Sequence, residues 1–476
     1  MNILLLVPPT DLSKSYGGLK DFASASPSLG LAYIAAVLLA NGYNVKILDA
    51  YASQSTKRDI LRLVEGFHAD WIGINMLTTS ADVSEEIIVA IRASFPLTKI
   101  ALGNVHASLF AESLLERGVA DVVVHREGEE TFLEYLRCME EGGDPSQVKG
   151  ISFLLDGRVH TTAPRPFLEN LDSLPFPAWE TFPLKEYFGD PRGELISGEP
   201  VLPFLATRGC PNKCSFCSNH TDRSMGTRYR MRSPQNIVDE LIYVHERFGV
   251  RTFNFMDLAF PLNKRHSIAV CQEIVRRGVH EWVAWHSECR VKPLDAETLD
   301  WLRKAGCRRL CFGIESGSDR ILKMIRKNFT TADVENAVQL TKKAGIDVDG
   351  MFIMGFPTET EQEIKQTIEL AVKLNVRFAI LNIFVPYPGC ELHDTLKAEG
   401  RIHFNAWRDF TSYPGYAGTE PVYVPDTVSR EDLLRLQRYA MRRFYLRPRF
   451  ILEELRRFNL SKLRMYINGL KALLCG

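Results

Sequence analysis

The chain has 476 residues, 45% hydrophobic and 24% charged, with 58 basic and 58 acidic side chains and a formal net charge of zero. That length accommodates two or three domains with a large core, and the neutral balance leaves no electrostatic footprint for nucleic acid. No uncharged apolar run is long enough to span a bilayer, and the ten cysteines, mostly scattered, fit a reducing cytoplasmic setting and not a disulfide framework.

Residues 1–140 alternate two patterns. Short apolar runs at Ile3–Val7, Val45–Asp49, Trp71–Met76, Ile100–Leu102 and Val122–Val124 predict strands. Amphipathic stretches at Leu29–Asn41, Lys57–Phe67, Ala81–Ser94 and Ala107–Arg117 predict the helices between them. This is an α/β pattern, a doubly wound parallel sheet that binds ligands at the carboxyl ends of its strands. Those ends carry Pro8-Pro9, Leu77-Thr78-Thr79, Gly103 to His106, and Arg126 to Glu129. No glycine-rich fingerprint follows the first strand, which argues against a nicotinamide or flavin domain.

Residues 141–199 lose the repeat and read as an ordered, proline-rich linker, with a hairpin of Ile151–Leu155 and Val159–Thr162 about Asp156-Gly157. From 200 to 399 the alternation resumes six times. Strands are expected at Val201–Ala206, Thr252–Met256, Val283–Ser287, Arg309–Gly313, Asp347–Met354 and Phe378–Val385. Helices follow at Pro234–Phe248, Lys264–Arg277, Ala296–Ala305, Thr331–Ala344 and Glu361–Leu374. Six such units predict a partial (βα)6 barrel of the TIM type, open on one side, with chemistry on its upper rim. Residues 400–476 form a helical extension, with helices from Ser429 to Tyr445 and from Arg449 to Leu474.

After the first barrel strand runs Thr207-Arg-Gly-Cys-Pro-Asn-Lys-Cys-Ser-Phe-Cys-Ser-Asn-His220. Cys210, Cys214 and Cys217 are close enough in sequence to converge on one metal centre. A cubane iron–sulfur cluster takes four thiolates; three leave one iron with an open position for chemistry. The alternative is a closed zinc knuckle with His220 as fourth ligand.

This stretch, with Phe216 before the third cysteine, resembles the signature of the radical S-adenosylmethionine (SAM) superfamily. The N-terminal strand ends resemble the cobalamin-binding domain that precedes the cluster in one large subfamily. The resemblance implies a [4Fe-4S] cluster on Cys210, Cys214 and Cys217, SAM on its open iron, and cobalamin near Thr78, Gly103, His106 and Glu127. It places Phe216 beside the adenine and Asp257, Glu315 and Ser316 at SAM contacts, the last two as a carboxylate and hydroxyl facing a ribose. Leu258 stands where relatives have a second acid. Lys327 pairs with the SAM carboxylate or is an exposed helix lysine, and Arg290 binds a carboxylate or forms a surface ion pair. Gly355-Phe-Pro-Thr358 replaces the family's glycine by Thr358, and Tyr387 is a substrate-side candidate. No acid–base residue is assigned.

No histidine precedes His68, so the histidine that binds cobalt from below in many cobalamin domains is absent. His106 is expected to be a polar loop residue in preference to a cobalt contact. The resemblance implies methyl transfer through cobalamin to an unactivated carbon, with a ring-forming or rearranging enzyme as the alternative and a non-catalytic corrinoid-binding protein as a third class. A methylthiotransferase is excluded, since the N-terminal segment has only Cys138 and the tail is helical. The expected partners are a small or lipid-like substrate and a flavodoxin- or ferredoxin-type electron donor. The basic tail, with Ile451, Leu452, Leu455 and Phe458 at helical spacing, is expected to pack its apolar stripe on the barrel, with an anionic membrane surface as the alternative.

Overall fold

In the computed structural model, which describes all residues except 13–15, 23–24, 185–186, 188–198, 222–224, 457–462 and 476, the N-terminal segment folds around β1 (Asn2–Val7). Alternate residues of β1 serve opposite faces, as the strand repeat requires. Ile3 and Leu5 join the large core shared with the barrel, while Leu4 and Leu6 join a second cluster with Ile60, Ile72 and Ile88. Helix α1 (Leu29–Ala40) follows, then β2 (Asn44–Asp49), α2 (Lys57–Phe67), β3 (Trp71–Asn75), α3 (Ala81–Ser94) and β4 (Lys99–Gly103). Thr56 and Asp59 form a capping box that fixes the start of α2 where the sequence placed it.

The single helix expected over Ala107–Arg117 is instead two, α4 (Val105–Leu109) and α5 (Ala111–Glu116), divided at Phe110. The Phe110 ring packs 4.6 Å from His106 and 4.9 Å from Trp407 of the C-terminal extension. After β5 (Val122–Val124) comes α6 (Glu129–Glu140), which the sequence reading passed over although Phe132, Tyr135 and Leu136 mark its buried face. The hairpin β6 (Ile151–Leu155) and β7 (Arg158–Thr161) turns through Asp156 and Gly157, at φ 49° and 74°, as a two-residue primed turn requires. It extends the sheet, pairing antiparallel with β5, so the order is β2-β1-β3-β4-β5-β6-β7. Between 163 and 187 the linker buries Leu171, Trp179 and Phe182, and Ala178 N–H donates to the Ala32 carbonyl of α1.

Strand β8 (Val201–Phe204) opens the second sheet. The ribbon β9 (Thr207–Arg208) and β10 (Arg230–Met231) brackets the cysteine segment, and α7 (Pro234–Phe248) starts with a Ser233 cap and Pro234 in its first turn. Then come β11 (Thr252–Phe255), α8 (Lys264–Arg276), β12 (Ala284–Cys289), α9 (Ala296–Lys304) and β13 (Cys307–Glu315). A short α10 (Asp319–Met324), α11 (Thr331–Lys343), β14 (Asp347–Met354), α12 (Glu361–Leu374) and β15 (Ala379–Ile383) complete the six units. The strands lie in the order β15-β14-β13-β12-β11-β8, all parallel, with no pairing of β15 to β8. This is an open (βα)6 barrel beside a Rossmann-like sheet.

The extension adds α13 (Glu391–Ala398), α14 (Pro414–Ala417), α15 (Arg430–Tyr445), α16 (Pro448–Arg456) and α17 (Leu463–Cys475). Leu433, Leu436, Ala440 and Phe444 of α15 are buried against the barrel. The last stretch is not one helix. Tyr466 Oη donates to Glu454 Oε2 at 3.3 Å, whereas twelve residues of continuous helix would separate them by about 18 Å. Nor does the tail pack its apolar stripe on the barrel. Ile451, Leu452 and Leu455 face solvent, because Phe450 on the other side of α16 takes the aromatic contacts with Phe444 and Tyr445. Phe458 lies outside the described residues.

Candidate functional site

The cysteine segment leaves β9 at the barrel's upper rim and returns through β10. Gly209, at φ 89°, has no room for a side chain, since a Cβ would lie 2.0 Å from the Arg228 carbonyl oxygen. Asp257, just past β11, holds the entry to this segment from below. Its buried carboxylate accepts from Ala206 N–H at 3.2 Å and from the Thr207 hydroxyl, and burial pushes its pKa up to about 6. In this structure Asp257 is engaged with the strand that carries the cysteines.

The three cysteines meet a consistent set of donors. Asn212 Nδ2 lies 3.3 Å from Cys210 Sγ, and Arg290 Nη1 lies 3.7 Å from Cys214 Sγ. Burial raises the Cys217 pKa, Cys214 and Cys210 raise it further, and the Lys327 ammonium opposes them. Sulfurs that are buried at Cys214 and partly buried at Cys210 and Cys217, mutually repelling as thiolates and faced by cationic and amide donors, suit a metal–thiolate cluster with net negative charge. Among the described residues, no three His, Cys, Asp or Glu side chains converge on a single ion. A cubane does not require that, because each thiolate sits on a different iron. The zinc alternative depends on His220, whose side chain lies outside the described residues.

Lys327 is not an exposed helix lysine. It lies three residues past the end of α10, is 5% exposed, and its Nζ donates to Glu315 Oε1 at 2.8 Å. The same ammonium is 5.7 Å from the Phe216 ring centroid and 5.5 Å from that of Phe329. Glu315 holds a left-handed backbone conformation, φ 69°, at the end of β13, the kind of strain that collects at functional sites. Arg290 belongs to the same cluster and not to a surface pair, since its Nη2 donates to the Lys327 carbonyl at 2.6 Å. Ser316 does not share a ligand-facing side with Glu315. Its hydroxyl lies 3.2 Å from Thr367 of α12 and accepts from Ser318 N–H, because successive residues at a strand end point to opposite sides.

Below the Gly355-Phe356-Pro357 turn, Glu359 accepts from Gly355 and Phe356 N–H at 2.6 and 3.0 Å, and burial pushes its carboxyl up to about 8. Thr358 sits at φ 62°, which explains why a glycine suits that position. Tyr387 donates to the Phe410 carbonyl at 2.9 Å and stands partly exposed.

A cavity of about 440 Å³ lies between the N-terminal sheet and the barrel. One wall is built from the carboxyl ends of β3, β4 and β5, including Asn75, Gly103, Asn104 and Glu127. The facing wall carries Pro203, Leu205, Arg208, Met225 and Met256. It therefore borders the crevice beside β1 and β3, where an order of 2-1-3-4-5 binds ligands. Gly103 faces open space, and Asn104 Nδ2 donates to Asn75 at 2.6 Å on the rim. A broad cavity with glycine and aliphatic walls fits a large, flat, largely apolar group such as a corrin.

Of the four N-terminal candidates, Gly103 and Glu127 line this cavity; Thr78 and His106 do not. His106 is no polar loop residue either. It is buried in α4, its Nδ1 is 3.3 Å from Thr78 Oγ1, and Trp407 packs edge-on at 4.8 Å. Desolvation lowers its pKa to about 4.

Glu127 has a second task that the sequence did not reveal. Its Oε1 lies 3.1 Å from Arg208 Nη1 and 2.9 Å from Arg230 Nη1, and its Oε2 accepts from Leu168 N–H. Glu129 completes the set at 2.7 Å from Arg208 Nη2. Both carboxylates come from the β5–α6 junction and both arginines from the ribbon that brackets the cysteines. The position of Arg208, two residues before Cys210, was the available hint.

Comparison with known proteins gives two matches along the chain. Residues 204–371 match the Radical SAM superfamily and residues 19–136 the B12 binding domain. An uncharacterized methyltransferase of Pyrococcus horikoshii is 32% identical over 457 residues, 96% of this chain and 95% of the relative. The anaerobic magnesium-protoporphyrin IX monomethyl ester cyclase of Cereibacter sphaeroides is 28% identical, across 91% of this chain and 69% of that protein. Among solved structures, the radical SAM methyltransferase TsrM of Kitasatospora setae, with cobalamin and a [4Fe-4S] cluster bound, superposes with a TM-score of 0.69 at 18% identity, covering 91% of this chain and 90% of that one. At that identity the likeness is one of fold.

Proposed function

Because the chain belongs to the radical SAM enzymes that carry a B12-binding domain, we propose that it transfers a methyl group to an unactivated carbon of a small-molecule substrate. The observation that carries this reading is the shared cavity, whose two walls come from the corrinoid-type sheet and the mouth of the cluster-bearing barrel. When bound, a [4Fe-4S] cluster, SAM and cobalamin would supply one-electron cleavage of a sulfonium and a transferable methyl group.

The chain's own residues do the rest. Cys210, Cys214 and Cys217 would hold the cluster, with Asn212 and Arg290 donating toward two of the sulfurs. Lys327 and Glu315 present opposite charges side by side next to Phe216, which suits the carboxylate, ammonium and adenine of SAM. Asp257 keeps Ala206 and Thr207 in place ahead of the cysteines, and Glu359 closes the turn after β14. Gly103 and Glu127 would border the corrinoid, with Thr78 and His106 supporting that wall from behind. The buried position of Lys327 and Glu315 keeps water from the charges they would bind.

The electron would come from an external flavodoxin- or ferredoxin-type donor. The same reading includes peripheral contact with a membrane through the C-terminal helices; among the described residues, no helix is long and apolar enough to cross one. The Pyrococcus relative, matched along its length, supports methyl transfer, while the cyclase relative supports ring formation as the second reading.

The test needs no substrate. Anaerobically reconstituted protein is incubated with reductant, cobalamin and SAM labelled in its methyl group. Label recovered on the corrinoid with S-adenosylhomocysteine as coproduct is the expected result. Reductive SAM cleavage without label on the corrinoid would favour the ring-forming reading.

A further inference from the structure

We propose that the outward faces of α16 and α17 form a docking surface for an anionic lipid bilayer, which deepens the peripheral-contact reading and does not depend on methyl transfer. The surface is built inside out relative to an ordinary terminal helix pair.

On α17, Leu463, Ile467, Leu470 and Leu474 recur at spacings of four, three and four, forming one stripe, and all four are exposed. Its inward side is small: Gly469 and Ala472 are buried, and a Cβ on Gly18 would lie 3.1 Å from that of Ala472. On α16, Ile451, Leu452 and Leu455 point outward, Leu455 being 61% exposed. The acids turn the other way and are engaged: Glu454 with Tyr466, and Glu453 with Arg449 at 3.1 Å. These two helices carry seven of the nineteen large hydrophobic side chains that are exposed among the described residues. That concentration marks an interaction surface and not scattered exposure.

Charge selects the occupant. Arg456 and Lys471 are exposed beside the stripes, while Glu453 is balanced by its ion pair with Arg449 and Glu454 is hydrogen-bonded by Tyr466. A two-fold contact with a second copy would set this basic rim against itself. Anionic headgroups neutralise it while the aliphatic stripes enter the interface. The inner side of α17 rests on Gly17–Phe22 in the β1–α1 connection, and the same connection lines the cavity at Ser26, Pro27 and Ser28. The docking surface thus backs the loop that borders the site.

The cluster-loaded full chain is sedimented with vesicles of phosphatidylcholine alone or mixed with phosphatidylglycerol. Binding to the anionic vesicles at least tenfold above the neutral ones, weakening as salt rises, is expected. Arg456→Gln and Lys471→Gln should each lower the partition coefficient about fivefold. Ile467→Asn/Leu470→Asn and, separately, Leu452→Asn/Leu455→Asn should abolish binding while iron content, melting temperature and SAM cleavage in solution stay at parental values. Absence of binding, equal binding to neutral vesicles, or binding that survives both double substitutions overturns the proposal. A lipid-free dimer at sedimentation equilibrium that either double substitution dissolves assigns the face to a second copy and overturns it as well. Failure to label the corrinoid leaves every vesicle outcome unchanged, so the two readings fail separately.

Discussion

Lys327 Nζ and Glu315 Oε1 stand 2.8 Å apart in the barrel mouth, and the pair lies directly against Gly313. A Cβ there would lie 2.8 Å from the Glu315 oxygen and 3.2 Å from the Lys327 nitrogen. Removing one partner of a buried pair leaves an uncompensated charge and costs about 3–5 kcal/mol, whereas removing both charges is close to neutral. Lys327→Met should therefore lower stability sharply in a denaturant titration, and Glu315→Gln/Lys327→Met should recover most of it. SAM binding, measured anaerobically by equilibrium dialysis, should stay lost in both. Recovery of SAM binding together with stability in the double variant would reduce the pair to a structural role.

The cysteine triad makes a compositional prediction. Reconstituted protein should hold about four iron and four sulfide. Single Cys210→Ala, Cys214→Ala or Cys217→Ala substitutions should remove the cluster and SAM cleavage together. Stoichiometric zinc without sulfide would establish the knuckle reading instead.

The division between what sequence did and did not disclose has a physical basis. Strand and helix positions were legible because apolar periodicity is local: α2, α3, α7 and α12 fall where their patterns begin and end, two of them fixed by capping boxes at Thr56 and Thr360. The cysteine triad was legible for the same reason. Contacts across long sequence separations were not. Glu127 meets Arg208 and Arg230 across 81 and 103 residues, and nothing near Glu127 marks it as paired. Sequence left Lys327 open between a SAM partner and a solvated helix lysine, because its burial comes from the packing of Glu315, Phe216 and Phe329 around it. The outward stripe on α17 has the spacing of an ordinary amphipathic helix, and only its neighbours reveal which side is covered.

The Glu127, Glu129, Arg208 and Arg230 group ties the N-terminal sheet to the ribbon that brackets the three cysteines. Arg208→Ala would leave Glu129 buried with its partner gone, at a cost in the same range as other broken buried pairs, several kcal/mol. The expected outcome is denaturant unfolding that separates into two transitions, with lower retention of both iron and corrinoid after desalting. Arg208→Lys, which keeps the charge but not the planar fork, should recover only part of it. A single unshifted transition with full retention of both groups would show that the two halves are held together elsewhere.

His106 yields a prediction whose sign follows from burial. Its imidazole takes a proton near pH 6.5 when unfolded but only near pH 4 when folded, chiefly because desolvation between Phe110 and Trp407 opposes the charge. Of the nearby charges, Glu85 favours protonation and Arg117 opposes it. Between those values the unfolded chain binds the extra proton, so stability is retained above pH 6.5 and falls as pH drops toward 4. The loss attributable to this residue is on the order of 3 kcal/mol. His106→Gln keeps a hydrogen-bonding group for Thr78 but cannot titrate. Its stability relative to the parent should therefore improve steadily from pH 6.5 to pH 4, read by denaturant titration at each pH. Because His106 does not line the cavity, the cobalt(II) spectrum of bound corrinoid should show no histidine nitrogen coupling in either protein. A nitrogen signal present in the parent and lost in His106→Gln would make this residue a cobalt ligand and require α4 to move.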